Sequence, residues 1–417
     1  MAQRRGDRPL SRHALTGQDG VQYSSSESET SAQRSASSAS SVGSDCSASD
    51  EDIQRWVRSA ARSHQYLACK CSASRPLPGV TGLENLGNTC YMNAVLQVLA
   101  HTQNLVNYVV SGLFREDLNR QSATRGEVAE EVAQLLTIIW SGKFRFVSPH
   151  RLRAVIGAQR GDFGGTRPHD AHEYILLLLE WLHDDLNVAP EPSGAAPLPT
   201  PEGLSNFEAA ERTWRQFRRA NDSIVVNLFH GQQKSTLLCT ACGFESATFE
   251  TFSLLSLPLA AGASTSRSSL YHCLEQYVHG DLINGWTCPK CRRRHDVYKK
   301  FDIWRMPPVL ILHLKRFSFG GSTMRKAHGH VSFPLRDLDF SQLSIGPHPE
   351  THSLVYDLYA VVEHHGSPHS GHYTAFCFNQ PAARWFFVDD VMLKETAAAK
   401  VKDASAYMLC YAARDVA

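Results

Sequence analysis

Residues 82–99 read GLENLGNTCYMNAVLQVL. Met92, Val95, Leu96 and Leu99 fall at i, i+3, i+4 and i+7, the spacing of a helix with one buried face. Gly87, Asn88 and Thr89 just before it are loop and N-cap types. Cys90 is thereby placed in the first turn, where free backbone N–H groups and the helix dipole favour an anion. A thiol there is expected to lose its proton more easily, and the thiolate is the nucleophile. Taken alone, the stretch reads equally as a helix that buries a small core cysteine.

The 417 residues suffice for two or three ordinary domains, or for one large catalytic domain with tails. A formal net charge of +1 gives no strong global field, which argues against nucleic-acid binding driven by bulk charge. The chain has no apolar run of roughly 18 residues, so no transmembrane segment is expected. The Arg-rich N-terminus lacks the apolar centre of a secretory signal. Eleven scattered cysteines without an export signal point to a reducing compartment, where thiols serve metal or catalysis.

Between Ser24 and Asp50, 13 of 27 residues are Ser, with acids interleaved. That composition buries too little apolar surface to offset chain entropy, so 1–75 reads as a disordered tail. Within it, Ile53, Trp56, Val57, Ala60 and Ala61 follow a helical rule and suggest a helix over 52–66, docking on the main domain or on a partner. From Gly79 the texture is globular. Helices are expected over 127–140, 169–186 and about 206–219, with a Pro/Gly/Ala loop from Pro190 to Pro201. After Asp222 the segments are short and β-rich: Ser223–Phe229, Thr236–Cys239, Val309–Leu314, Leu354–Val361, His372–Phe378, Arg384–Val388 and Tyr407–Tyr411. Helices first and strands after imply an α+β fold with an antiparallel sheet.

Cys239-x-x-Cys242 and Cys288-x-x-Cys291 are two knuckles separated by 45 residues. Two such pairs complete a tetrahedral four-thiolate zinc site with no open position for water, hence a structural one. The long gap puts the knuckles at the ends of strands that meet in space, and Gly243 and Pro289 suit tight turns there.

Cysteine catalysis needs a histidine to handle the thiol proton and a third group to hold the imidazole. Of 20 histidines, His372 is set apart by its surroundings, SGHYTAFCF, a loop leading into a half-buried strand. The following strand, Arg384–Val388, runs into Asp389 and Asp390. Paired with the first as a hairpin, it brings Asp389 toward the His372 ring. His364, His365 and His369 read as a polar loop.

Together these blocks resemble the ubiquitin-specific protease family of deubiquitinating enzymes. The cysteine box is GLENLGNTCYMN, and the histidine box is SGHYTAFC with WFFVDD after it. Between them lie the paired Cys-x-x-Cys motifs and PPVLILHLKRF, residues 307–317. The resemblance spans about residues 79–413 in the family's order, with spacing closest to its endosome-associated members. It implies a papain-like fold likened to a hand: a helical thumb near 80–222, zinc-bearing fingers near 223–300 and a β palm near 301–413. It further implies Cys90 as nucleophile, His372 as base and Asp389 as its orienter. Asn85 and the Cys90 backbone N–H would form the oxyanion hole. Asp390 would support them or serve as third member itself.

The implied partners are ubiquitin and ubiquitinated proteins, with one structural zinc. A cytoplasmic monomer is expected, and endosomal or nuclear placement stays open. Asp170 and Glu173, one turn apart, match the family's acidic pair that meets ubiquitin's Arg-containing tail; they also suit the positive end of a helix. The family's Gln-Gln-Asp-x-Gln-Glu is here Pro168-His169-Asp170-Ala171-His172-Glu173. Loops Ser318–His330 and His364–Ser370 correspond to loops that move aside for the tail. The competing readings are a ubiquitin-binding scaffold with a dead site and a protease for another ubiquitin-like modifier.

Overall fold

A computed structural model describes residues 76–190, 203–259, 268–320, 323–347, 353–367 and 370–415. The Ser-rich tail and the helix expected over 52–66 lie outside them. The first half is helical. Strand β1 (Gly82–Leu83) leads into α1 (Cys90–Ala100), followed by α2 (Gln103–Val110), α3 (Glu127–Trp140), β2 (Phe146–Val147), α4 (His150–Gln159), α5 (Gly161–Gly164) and α6 (Ala171–Asp185). β1 pairs in parallel with β2. All eleven residues of α1 are buried, not one face only. A helix buried all round belongs at the centre of its domain. α3 has no side-chain cap of its own. Asp185, buried at the end of α6, supplies one by accepting from the backbone N–H groups of Gly126 and Ala129, both at 3.1 Å. A buried carboxylate is tolerated because those donors replace its water.

Helix α7 (Asn206–Ala220) starts at a capping box in which Ser205 and Glu208 each bond the other's backbone N–H. The strand expected over Ser223–Phe229 is instead a helix, α8 (Ile224–Phe229). A short β-branched run carries no periodicity that separates buried strand from buried helix. Here the Ser223 hydroxyl accepts from the Val226 N–H and starts a helical turn. Phe207, which stands at helical spacing from Ala210 and Trp214 on α7, is exposed.

The second half is β. Strands β3 (Gly231–Cys239) and β4 (Glu245–Phe252) form a hairpin, followed by β5 (Leu255–Leu257), β6 (Ser268–Ser269), α9 (Leu270–His279), β7 (Asp281–Thr287) and β8 (Arg294–Arg305). β4, β3, β8 and β7 make a four-stranded antiparallel sheet in that order. Then come β9 (Val309–Leu314), β10 (Phe317–Gly320), β11 (Thr323–Lys326), β12 (Val331–Ser332), β13 (Leu338–Asp339), β14 (Val355–Gly366), β15 (Gly371–Asn379), β16 (Arg384–Asp389), β17 (Met392–Thr396), α10 (Ala398–Lys402) and β18 (Ala406–Ala413).

β17-β16-β15-β14-β18-β9-β5 is the spine of an eight-stranded sheet, with β13 beside β14. One of its faces shares a hydrophobic core with α1, α3 and α6; the other is closed by α9 and α10. Among the described residues no helix is long and apolar enough to cross a membrane.

Candidate active site

The site forms where the first turn of α1 meets the hairpin β15–β16. The Asn85 side-chain Oδ1 accepts from the backbone N–H groups of Gly87 and Thr89, at 3.0 and 3.1 Å, and so folds the loop ahead of Cys90. Asn88 in that loop takes a left-handed conformation, φ 54°, which Asn tolerates better than most residues. Across the cleft, β15 and β16 pair from Asn379↔Arg384 to Ala375↔Val388, and His372 and Asp389 extend beyond the last pair. His372 Nε2 lies 2.7 Å from Asp389 Oδ1. A carboxylate only accepts, so Nε2 carries the proton and Nδ1 is left bare for the cleft.

Asp390 does different work. It sits at φ 47° in the turn between β16 and β17. Its two oxygens accept from Asn85 Nδ2 at 2.9 Å and from Asn93 Nδ2 at 2.7 Å. The Leu83 N–H donates to its carbonyl at 2.9 Å. The same turn presses on β1: a Cβ on Gly82 would stand 2.4 Å from the Val391 carbonyl oxygen, so only glycine fits. Asn93 was not singled out from the sequence. Its signal was its position, one turn after Cys90 on the same helix face.

Cys90 is buried at 5% exposure. Burial raises its thiol above the ordinary range, and the nearby Asp390 charge adds to this; backbone N–H groups of Tyr373, Tyr91 and Cys90 itself pull the other way. The expected helix-terminus effect is therefore present but outweighed, because loss of water penalises the thiolate more than three N–H groups stabilise it. Cys90 and Tyr373, the residue after His372 on β15, belong to one hydrophobic core. His372, Asp389 and Asp390 present donor atoms within 4.8 Å of one another, a set that does not include Cys90. Among the described residues no hydrogen bond joins the His372 ring to the Cys90 sulfur.

The two acids at the start of α6 divide. Asp170 caps the helix through the His172 N–H at 2.8 Å and accepts from the Tyr407 hydroxyl at 2.6 and 2.7 Å. Glu173 stays exposed and pairs with Arg160 Nη2 at 3.0 Å. His172 stacks on His313, ring centroids 3.9 Å apart, and the Ser256 hydroxyl bridges the two at 3.3 and 3.0 Å. Burial keeps both rings neutral, driving His313 down to about 2 and lowering His172. His364 and His365 belong to β14 and not to a loop, and His364 is buried. Gly371 is required by close approach: a Cβ there would stand 2.1 Å from His364 Nε2. Lys326 Nζ donates to the carbonyls of His364 and Gly366, at 2.7 and 3.0 Å, tying the two candidate moving loops together.

The second cluster stands at the tip of the four-stranded sheet. In both knuckles the first cysteine's N–H donates five residues ahead, to Phe244 and Arg293, and its carbonyl accepts from four residues ahead, Gly243 and Arg292. Gly243 and Arg292, whose N–H groups donate to those carbonyls, share the left-handed conformation, φ 68° and 54°. The pairing Cys239↔Val297 and the Thr240 hydroxyl on the Asp296 carbonyl, at 2.7 Å, lock one knuckle beside the other. The sulfurs of Cys239, Cys242, Cys288 and Cys291 lie within 4.8 Å of one another and are unbonded. Cys242 and Cys288 sulfurs are 3.6 Å apart. A tetrahedron with Zn–S of about 2.3 Å has edges of about 3.8 Å, so the donor set can hold a metal ion of this kind.

The family described as ubiquitin carboxyl-terminal hydrolase matches residues 81–411. Ubiquitin carboxyl-terminal hydrolase 2 of Rattus norvegicus is 36% identical over 345 residues, 81% of this chain and 54% of that protein. Ubiquitin carboxyl-terminal hydrolase 21 of Homo sapiens is 35% identical over 356 residues, 80% of this chain and 61% of that protein. The chain thus spans little more than half the length of these relatives. A chain in the solved SAGA DUB module bound to ubiquitin aldehyde superposes with a TM-score of 0.62 at 21% identity, covering 88% of this chain and 75% of that one, a likeness of fold.

Proposed function

The chain belongs to the ubiquitin carboxyl-terminal hydrolase family, and from that premise we propose that it is a cysteine deubiquitinase cutting after the C-terminal glycine of ubiquitin. The observation that carries this reading is the meeting of two distant blocks. Cys90 shares one hydrophobic core with Tyr373, and the adjacent His372 is held by Asp389 at 2.7 Å.

In the reaction, His372 Nδ1 takes the Cys90 proton and the sulfur attacks the glycine carbonyl carbon. The C–N bond breaks, the lysine amine leaves with the proton from His372, and a thioester remains. Water then attacks the thioester carbonyl, its proton passing to His372; the C–S bond breaks, ubiquitin leaves with a free C-terminal carboxyl group, and His372 returns the proton to the sulfur. Asp389 fixes the ring's tautomer. Asn85 Nδ2 has two hydrogens; Asp390 takes one and aims the other, which with the Cys90 N–H stabilises the oxyanion. One such donor is typically worth about 10²–10³ in rate.

In this reading the helical half, the four-stranded sheet and the eight-stranded sheet are thumb, fingers and palm. Cys239, Cys242, Cys288 and Cys291 would hold one zinc ion, which would staple the fingers. Exposed Glu173 meets the Arg-containing tail, while Asp170 holds the wall of its channel through Tyr407. The enzyme works as a cytoplasmic monomer on ubiquitinated proteins.

One observation favours a second reading, a protein that holds ubiquitin without cutting it: the Cys90 thiol is buried and its acidity is suppressed. Ubiquitin carrying a C-terminal electrophile separates the two. A covalent adduct on Cys90 supports the enzyme. Bound ubiquitin with no adduct overturns it, and an adduct formed faster with another ubiquitin-like modifier reassigns the substrate.

A further inference from the structure

The loop ahead of Cys90 is shaped by one set of bonds and placed by another. Within it, Asn85 Oδ1 accepts from the Gly87 and Thr89 N–H groups, and the Leu86 N–H donates to the Thr89 hydroxyl at 2.8 Å. These local bonds give the loop its form but do not fix where it lies. Asp390 provides one anchor, through Asn85 Nδ2. Arg153 of α4 provides another. Its Nη1 donates to the Leu86 carbonyl at 2.8 Å, and its Nη2 to the carbonyls of Gly165 and Gly164, at 2.7 and 3.3 Å. Beside it, Asn88 Nδ2 donates to the Thr166 carbonyl at 2.8 Å.

The packing of α4 explains why an arginine serves there. Gly157 follows Arg153 by one turn, and a Cβ on it would stand 2.7 Å from the Gly164 Cα. α4 and α5 thus touch backbone to backbone, which brings the Gly164 and Gly165 carbonyls to the same helix face as the guanidinium. A planar fork of donors can join carbonyls of two segments at once, whereas an ammonium is a point charge on a flexible stem. Among the described residues Arg153 makes no ion pair, and the donors it uses go to backbone carbonyls.

We propose that Arg153 is a positioning residue for the hydrolysis. By joining the Leu86 carbonyl to the Gly164–Gly165 turn, it fixes where the loop lies and so holds the Asn85 amide at the oxyanion. This rests on the reading of Asn85 as an oxyanion donor. Such a group must be held within about 0.5 Å of its productive place, and a shift of about 1 Å costs about 10² in rate.

Steady-state kinetics of the full chain on a ubiquitin fluorogenic substrate test this. Arg153→Ala lowers kcat by about tenfold or more and leaves KM within about threefold, since the loss falls in the transition state. Arg153→Lys keeps the charge but not the fork, and its kcat lies between the two. In the Asn85→Ala background Arg153→Ala costs less than about threefold, because the group it positions is gone. Ubiquitin propargylamide, which forms no oxyanion, labels Cys90 in Arg153→Ala at close to the wild-type rate. Where Arg153→Ala melts lower than the wild type, the same cycle is read with Arg153→Lys. Wild-type kcat in the variant so read overturns the proposal. An equal loss in the Asn85→Ala background overturns it too, as the mark of a merely structural role. Labelling that falls in step with kcat also overturns it, since the thiol and not the amide has then moved. A wild type that is never labelled at Cys90 overturns instead the enzyme reading beneath it.

Discussion

The four-cysteine cluster and the cleft around Cys90 both bring sulfur into a polar setting, but they are assembled over different lengths of chain. Each knuckle closes within six residues, by the same two backbone bonds and the same left-handed residue. Only one strand register is then needed to put the knuckles side by side. The cleft is built from groups such as Asn93 and Asp390, 297 positions apart. Its chemistry is set by what surrounds the sulfur: a buried helix, a carboxylate and a strand N–H. A locally closed motif announces its ligands in the sequence. A cleft made by long-range packing announces which residues take part, but not how acidic they are.

The sharpest break between the two regions comes from exchanging their cysteines. Cys90→Ala is expected to abolish turnover of a ubiquitin fluorogenic substrate while ubiquitin binding and bound zinc persist. Cys288→Ser is expected to release the metal and lower the melting temperature, because a structural site's binding energy is folding energy. Metal analysis beside titration with ubiquitin checks both; a metal-free protein that melts like the wild type removes the structural role of the cluster.

Within the cleft, Asp389→Asn should cost about 10²–10⁴ in kcat, as the ring loses its tautomer and orientation. Asp390→Asn should cost less there. The reverse order in steady-state kinetics would make Asp390 the third member. Asn85→Ala should lower kcat by about 10²–10³ with KM little changed, the mark of a donor used in the transition state.

The smallest effect is acid sensitivity, and it belongs to the packed half. Burial holds His101, His230 and His364 down to about 4. These rings are neutral in the folded protein, but below about pH 6.5 they charge in the unfolded chain. The unfolded state therefore binds more protons, and stability falls as pH drops from about 6.5 toward 4. Scanning calorimetry should give a melting temperature several degrees lower at pH 5 than at pH 7. A flat profile would mean that the rings are solvated.

Where the sequence misled, the cause lies in packing. Ser223–Phe229 has strand-like residues but becomes α8, because its cap and the burial of Val225, Val226, Leu228 and Phe229 outweigh β propensity. The His364–His365 stretch is polar in composition, yet it is strand, with His364 buried. Asp170 and Glu173 look like equals at one turn's spacing. Tyr407, 237 positions away, claims the first and leaves the second to Arg160.

The sequence by itself determined the helices and strands with clear periodicity, the two knuckles, and the blocks that hold Cys90, His372 and Asp389. These depend on spacing of a few residues, which a linear chain carries directly. Only the tertiary structure decided that the Cys90 thiol is less acidic than its helix position suggests and that Asp390 binds two amides while Asp389 takes the imidazole. It alone placed His172 in a neutral stack on His313. Desolvation and long-range partners set those states, and both exist only after distant segments have packed.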